Sequence, residues 1–178
     1  MAERQRLPYD GQALAFSHTT VLRVAALGRS GLLAPAETHT IIVATDVLAQ
    51  TNEPPGWPPR WGGSGTGSND RLGDYAVDPR AGLQASDLLS VPTVSLQMPS
   101  VDDWFGPRGL YNNREDTRPF QTSFEYIPPP HATAEAGPQL HVACGVGSQG
   151  GSSSQRNWKD PKSSLRLRFK AEFGVVKW

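Results

Sequence analysis

The residues whose types and spacing could do chemistry lie between Cys144 and Phe173, in CGVGSQGGSSSQRNWKDPKSSLRLRFKAEF. A glycine- and serine-rich segment there leads to Lys162, which precedes an alternating run, Leu165–Lys170, with apolar residues on one face and basic residues on the other. Glycines let a backbone approach phosphate closely, and a lysine entering the next strand neutralises the phosphates of a bound nucleotide. The pattern indicates a nucleotide-binding loop between two antiparallel strands.

The glycines also match a second, different motif. Gly145, Gly147 and Gly150 fit G-x-G-x-x-G, but a dinucleotide-binding fold needs a helix to begin at the third glycine, facing the pyrophosphate. The residues that follow contain a proline and have no helical periodicity, so we reject the dinucleotide interpretation. Two alternatives remain open: a plain flexible hairpin without a ligand, and a kinase-like loop in which Lys162, or the nearby Lys159, contacts phosphate.

The other reactive residue types indicate no second site. Asp102 and Asp103 precede an aromatic pair and are interpreted as capping residues of a helical turn, not as an acid/base pair. Cys144 ends an apolar strand, where a buried thiol is expected. The four histidines are scattered, with no carboxylate or second histidine at metal-ligand spacing, so no metal site is predicted: His18, His39, His131 and His141.

The elements that must position these residues are mainly strands. With 18 glycines and 16 prolines in 178 residues, the composition favours turns and short strands over packed helices. One short helix is predicted within 75–89, with Asp78 as N-cap and Pro79 in the first turn. Alternating or β-branched runs predict strands over 19–26, 37–44, 91–98, 120–127 and 139–146. The predicted fold class is mainly β (α+β overall), with antiparallel sheets, long Pro/Gly loops and little helix.

Charge and composition limit the partners. The chain has 17 basic and 17 acidic side chains, which gives no reason to expect nucleic acid as a partner. No apolar run is long enough to span a bilayer, and the N-terminal residues lack the apolar core of a signal peptide. A single cysteine excludes an internal disulfide framework.

A run of motifs resembles the N-terminal part of the bacterial CotH family, spore-coat CotH-like proteins with an atypical kinase fold. The motifs stand in the family's order and cover about residues 86–178: VPTVSLQMPSVDDWFGPRGLYNN, FEYI, CGVGSQGGSSS and WKDPKSSLRLRFKAEFG. The resemblance implies that complete relatives use ATP and Mg²⁺ to phosphorylate secreted or surface proteins. It therefore implies a protein acceptor or a cell-surface component as partner, and a secreted or cell-surface parent protein.

By the same resemblance, Lys162 matches the family's Pro-Lys position, and Gly150, Gly151 and Ser152 form the loop that contacts the nucleotide. The chain departs from the family pattern at Gly147 and Ser148, where a basic and an apolar residue are usual, and at Gln155, which stands where an arginine is usual. No segment matches the second lobe, which would carry the base and the Mg²⁺-binding carboxylates. No catalytic residue is therefore assigned, and the chain is predicted to be a truncated form that is inactive alone.

The upstream segment YDGQALAFSHTTVLRVAALGRSGLLAPAETHTIIV resembles the last strands of a chitobiase/hexosaminidase C-terminal-type β-sandwich. The two resemblances divide the chain into three predicted regions: a partial sandwich over 1–46, a Pro/Gly/Trp-rich linker with a short helix over 47–85, and the CotH-like part over 86–178. Trp57 and Trp61 are predicted to pack the linker onto a neighbouring domain.

A non-enzymatic surface module, with Trp57, Trp61 and Trp104 as glycan-stacking platforms, is the alternative function. A gene fragment with unpaired sheet edges is the third interpretation.

Overall fold

The computed structural model of the protein describes residues 8–31, 34, 36–61, 71–78, 81–113, 116, 118–131, 137–149 and 164–174. Within these ranges the chain forms short strands and three helices of five or six residues, so the predicted mainly β class is confirmed. The strands are β1 Thr20–Val24, β2 Glu37–Ile41, β3 Arg60–Trp61, β4 Arg71–Leu72, β5 Thr93–Gln97, β6 Phe120–Ile127, β7 Leu140–Ser148 and β8 Leu165–Arg168. The helices are α1 Ala44–Ala49, α2 Ala85–Leu89 and α3 Val101–Phe105.

Four strands form an antiparallel sheet in the order β5-β6-β7-β8. Successive side chains of a strand point to opposite faces, so the registers define two different surfaces. Phe120, Val146 and Leu167 are aligned across one face, which is apolar. Ser95, Glu125 and the histidine opposite it, His141, form a row across the other face, which is polar.

The apolar face carries the hydrophobic core. Met98, Leu110 and Val146 are buried there, with exposed fractions of 6%, 2% and 0%. Partly buried apolar side chains surround them: Leu96, Trp104, Tyr111, Phe120, Leu165 and Leu167. The loop after α3 therefore covers this face of the sheet, because it contributes Leu110 and Tyr111.

Helix α3 lies where the aspartate pair predicts a capped helical turn. Ser100 Oγ accepts a hydrogen bond from the Asp102 amide at 2.9 Å, and the Asp103 carboxylate accepts one from the Ser100 amide at 2.9 Å. The Leu110 amide then donates to the Asp103 carbonyl at 2.9 Å. Gly109 must be glycine here, because an added Cβ would lie 2.6 Å from the Asp102 carbonyl oxygen. The predicted capping role of the aspartates is confirmed at Asp103.

The hairpin formed by β1 and β2 lies on the polar face of the sheet. The Thr40 amide donates to Glu125 Oε2 at 2.7 Å, and the Thr40 and Ser95 hydroxyls are 2.7 Å apart. The Arg23 guanidinium donates to the Met98 carbonyl at 3.0 Å. The hairpin of the predicted 1–46 region is thus hydrogen-bonded to strands of the predicted 86–178 region.

One helix prediction was wrong in its start, and one helix was not predicted. The helix predicted with Asp78 as its N-cap instead begins at Ala85, after Gln84, and the Gln84 amide donates to the Asp87 carboxylate at 2.7 Å. Gln84 and Asp87 form a capping box, which satisfies amides of the first turn at this start. Helix α1 was not predicted at all; its Asp46 accepts from the Thr19 amide at 2.8 Å.

Trp57 of the linker packs against Phe105 of α3, as predicted for this tryptophan. The ring of Trp57 lies 5.8 Å from that of Tyr75 and 5.6 Å from that of Phe105, both edge-on. The Tyr75 hydroxyl donates to the Pro58 carbonyl at 2.7 Å. In the part of the chain that the structure describes, the longest helix has six residues, and none is long and apolar enough to cross a bilayer.

Candidate functional site

The predicted glycine-rich connection lies between two paired antiparallel strands. Ser148 in β7 is aligned with Leu165 in β8, and the Gln149 amide donates to the Ser164 carbonyl at 2.9 Å. This pairing confirms that the strands on either side of the glycine-rich segment are antiparallel neighbours. The predicted nucleotide-contacting residues lie outside the described residues: Gly150, Gly151, Ser152 and Lys162.

The first two glycines of the G-x-G-x-x-G match are part of a strand. Gly145 and Gly147 lie within β7, and both are buried. A Cβ on Gly145 would lie 2.6 Å from the Phe173 ring and 2.8 Å from the Pro119 Cβ. The close approach that Gly145 permits is therefore a packing contact inside the fold, not an approach to a ligand.

A separate cluster of chemical groups lies where the hairpin contacts the sheet. His39 of β2, Glu125 of β6 and His141 of β7 each offer a ligand atom, and these atoms all lie within 4.8 Å of one another. The two imidazole rings have centroids 4.7 Å apart, and His141 Nδ1 lies 3.4 Å from Glu125 Oε1. Two imidazoles and a carboxylate are a ligand set that Zn²⁺ and other divalent transition metals use.

Glu125 is the most buried member of this cluster. It is only 3% exposed, and both carboxylate oxygens accept hydrogen bonds: Oε2 from the Thr40 amide at 2.7 Å and Oε1 from Gln139 Nε2 at 3.3 Å. His141 Nδ1 also lies 3.2 Å from the Thr38 carbonyl oxygen. Since a carbonyl can only accept, this contact places a proton on Nδ1 in the absence of an ion.

Spacing along the chain did not reveal this cluster. Glu125 and His141 meet because the β6–β7 register aligns them, and His39 joins them because the hairpin lies over that row. Neither relation is visible in a single sequence. The one local signal is Glu125 itself, a carboxylate in the middle of a strand whose neighbours are mostly uncharged.

The remaining candidate residues of the sequence analysis lie in α3, against the core and in the linker. Asp103 caps α3, and Trp104 packs against the apolar core, so Trp104 is not a free stacking platform. Trp57 is 41% exposed beside Tyr75 and Phe105, while the side chain of Trp61 lies outside the described residues.

Cys144 is predicted to be unreactive in the folded protein. It is fully buried, and burial raises the pKa of its thiol from 9.0 to about 11, so the nucleophilic thiolate is scarce near neutral pH. We expect no reaction with a chromogenic disulfide reagent at a pH of about 8 in native buffer, below the raised pKa, and one thiol per chain in denaturant. Stoichiometric labelling of the native protein, at the rate seen in denaturant, would contradict this burial.

No protein-family model, curated protein or solved structure matches this chain. The resemblance to the CotH family therefore depends on the ordered motifs alone.

Proposed function

We propose that the glycine-rich hairpin of this chain binds the phosphates of a nucleotide, as part of a CotH-like domain. One observation supports this proposal above the others: β7 and β8, the strands on either side of the glycine-rich segment, are paired antiparallel up to Ser148 and Leu165. In kinase-like lobes a glycine-rich loop covers the phosphates and a lysine on a strand contacts them. By the resemblance, Lys162 would be that lysine.

The proposal assigns binding to the hairpin and leaves phosphate transfer to the whole protein. In complete CotH-like relatives the resemblance implies transfer from ATP to secreted or surface proteins, with Mg²⁺ bound by carboxylates of the second lobe. The motifs that carry the resemblance here do not include those carboxylates. Lys162, Gly150, Gly151 and Ser152 are therefore proposed as binding residues only.

Titration with a fluorescent ATP analogue tests the proposal. We expect saturable binding in the presence of Mg²⁺ and about a tenfold or larger loss of affinity in Lys162→Ala, because a charged hydrogen bond to phosphate contributes about 1.5–3 kcal/mol. Lys159→Ala decides between the two candidate lysines: it removes the same charge three residues earlier and is expected to leave the affinity nearly unchanged. No saturable binding by the unmodified chain, or an equal loss in both variants, would contradict the proposal.

The alternative function is a non-enzymatic surface module that binds glycan. It is favoured by Trp57, whose ring is partly exposed within a cluster of edge-on aromatic contacts. Retention on a polysaccharide resin that is lost in Trp57→Ala, together with no response to nucleotide, would favour this alternative.

A further inference from the structure

We propose that His39, Glu125 and His141 bind a divalent transition-metal ion, with Zn²⁺ as the best fit, and that this ion links the β1–β2 hairpin to the four-stranded sheet. The site is independent of the proposed nucleotide loop. Its three ligands come from strands β2, β6 and β7, so an ion bound there would connect elements that are far apart in the sequence.

The charge balance of the cluster favours a bound cation. A carboxylate that is 3% exposed is costly unless a positive charge compensates it. Among the described residues, no lysine or arginine lies within ion-pair distance of Glu125; the one basic group there is His141, at 3.4 Å. Hydrogen bonds from the Thr40 amide and Gln139 satisfy the oxygens but bring no net charge. A divalent ion between the two imidazoles would supply it.

The dimensions of the cluster suit a small ion after modest side-chain movement. Zn²⁺ holds nitrogen and oxygen ligands at about 2.0–2.2 Å, so the ligands of a tetrahedral site are about 3.4 Å apart. The ligand atoms here lie within 4.8 Å of one another, so ion binding requires the imidazoles to rotate until the ligand atoms are closer. If Nδ1 of His141 is the ligand, its proton moves through solvent to Nε2, which keeps the ring neutral, and Nδ1 gives up its contact with the Thr38 carbonyl.

The exposure of the three side chains gives the ion a way in. The side chains of His39 and His141 are 41% and 32% exposed, whereas that of Glu125 is 4% exposed. The carboxylate is therefore the buried member of the cluster, and the two histidines are its solvent-accessible members. Three protein ligands leave a fourth coordination position for water or a small anion.

Competition between the untagged protein and a chromophoric chelator measures the affinity for Zn²⁺. We expect one ion per chain, and at least about a tenfold weaker affinity in His39→Gln and in His141→Gln, each of which removes one ligand. His18→Gln and His131→Gln remove histidines of the same chain outside the cluster and are expected to leave the affinity unchanged. Far-UV circular dichroism confirms that each variant is folded.

Two further measurements distinguish a defined metal site from nonspecific binding at the protein surface. Co²⁺ substitution is expected to produce the visible absorption of a four-coordinate ion, and that absorption should disappear in His141→Gln. Zn²⁺ is also expected to raise the thermal unfolding midpoint of the unmodified chain, because an ion that binds only the folded state stabilises it. The absence of stoichiometric Zn²⁺ binding, or an equal loss in the His18 and His131 variants, would overturn the proposal and leave the histidines as hydrogen-bonding links.

Discussion

Replacing Leu110 by alanine is expected to lower the free energy of unfolding by about 2–5 kcal/mol, because the truncation leaves a cavity in a small core. Leu110 is 2% exposed and lies in that core with Met98 and Val146. Its backbone is held by the hydrogen bond from its amide to the Asp103 carbonyl, so the surroundings cannot easily collapse into the cavity. Urea unfolding monitored by tryptophan fluorescence measures the change.

A matched control for Leu110 is Leu89→Ala. Leu89 ends α2 and is 42% exposed, so the same truncation there should change the free energy of unfolding by about 0.5 kcal/mol or less. Equal effects at the two positions would mean that the loop after α3 does not cover the sheet as described.

Gly145→Ala is expected to destabilise the fold by about 1–3 kcal/mol, because the new Cβ would overpack a filled position. The added atom would lie 2.6 Å from the Phe173 ring and 2.8 Å from Pro119, both too close for carbon atoms. The same denaturant titration measures this loss, and a change near zero would contradict the packing role of Gly145.

A double-mutant cycle identifies the partner responsible. In a Phe173→Ala background the ring is gone, so the cost of Gly145→Ala should fall by at least about 0.5 kcal/mol, while the contact with Pro119 remains. If Gly145→Ala lowers the free energy of unfolding equally in that background, the Phe173 ring is not the group that the new Cβ overpacks. If nucleotide affinity is unaffected by Gly145→Ala, the glycine serves the fold and not the ligand.

Local patterns predicted most of the strands. Alternation placed β6 at its observed bounds and placed β5 and β7 within two residues, since the period of two is a property of each strand alone. The start of α2 was predicted wrongly, because Asp78 followed by Pro79 resembles a helix start. The hydrogen bond from the Gln84 amide to the Asp87 carboxylate marks the observed start.

Relations between distant strands could not be predicted. The position of the hairpin on the polar face depends on single contacts such as that between Thr40 and Glu125, which are 85 positions apart. The His39–Glu125–His141 cluster follows from the same docking and from the β6–β7 register. The packing of Gly145 likewise depends on Phe173, which returns to β7 from beyond β8. The predicted loop residues Gly150, Gly151, Ser152 and Lys162 remain a prediction.

The contacts of β2 with the sheet also bear on self-association. An edge strand has unpaired backbone amides and carbonyls that can pair with an extended segment of another chain. Such pairing is how strand exchange and fibril growth begin. Here the Thr40 amide donates to Glu125, so this side chain acts as a cap where a foreign strand would add. Detaching the hairpin would remove that cap and turn β2 into a template for oligomers.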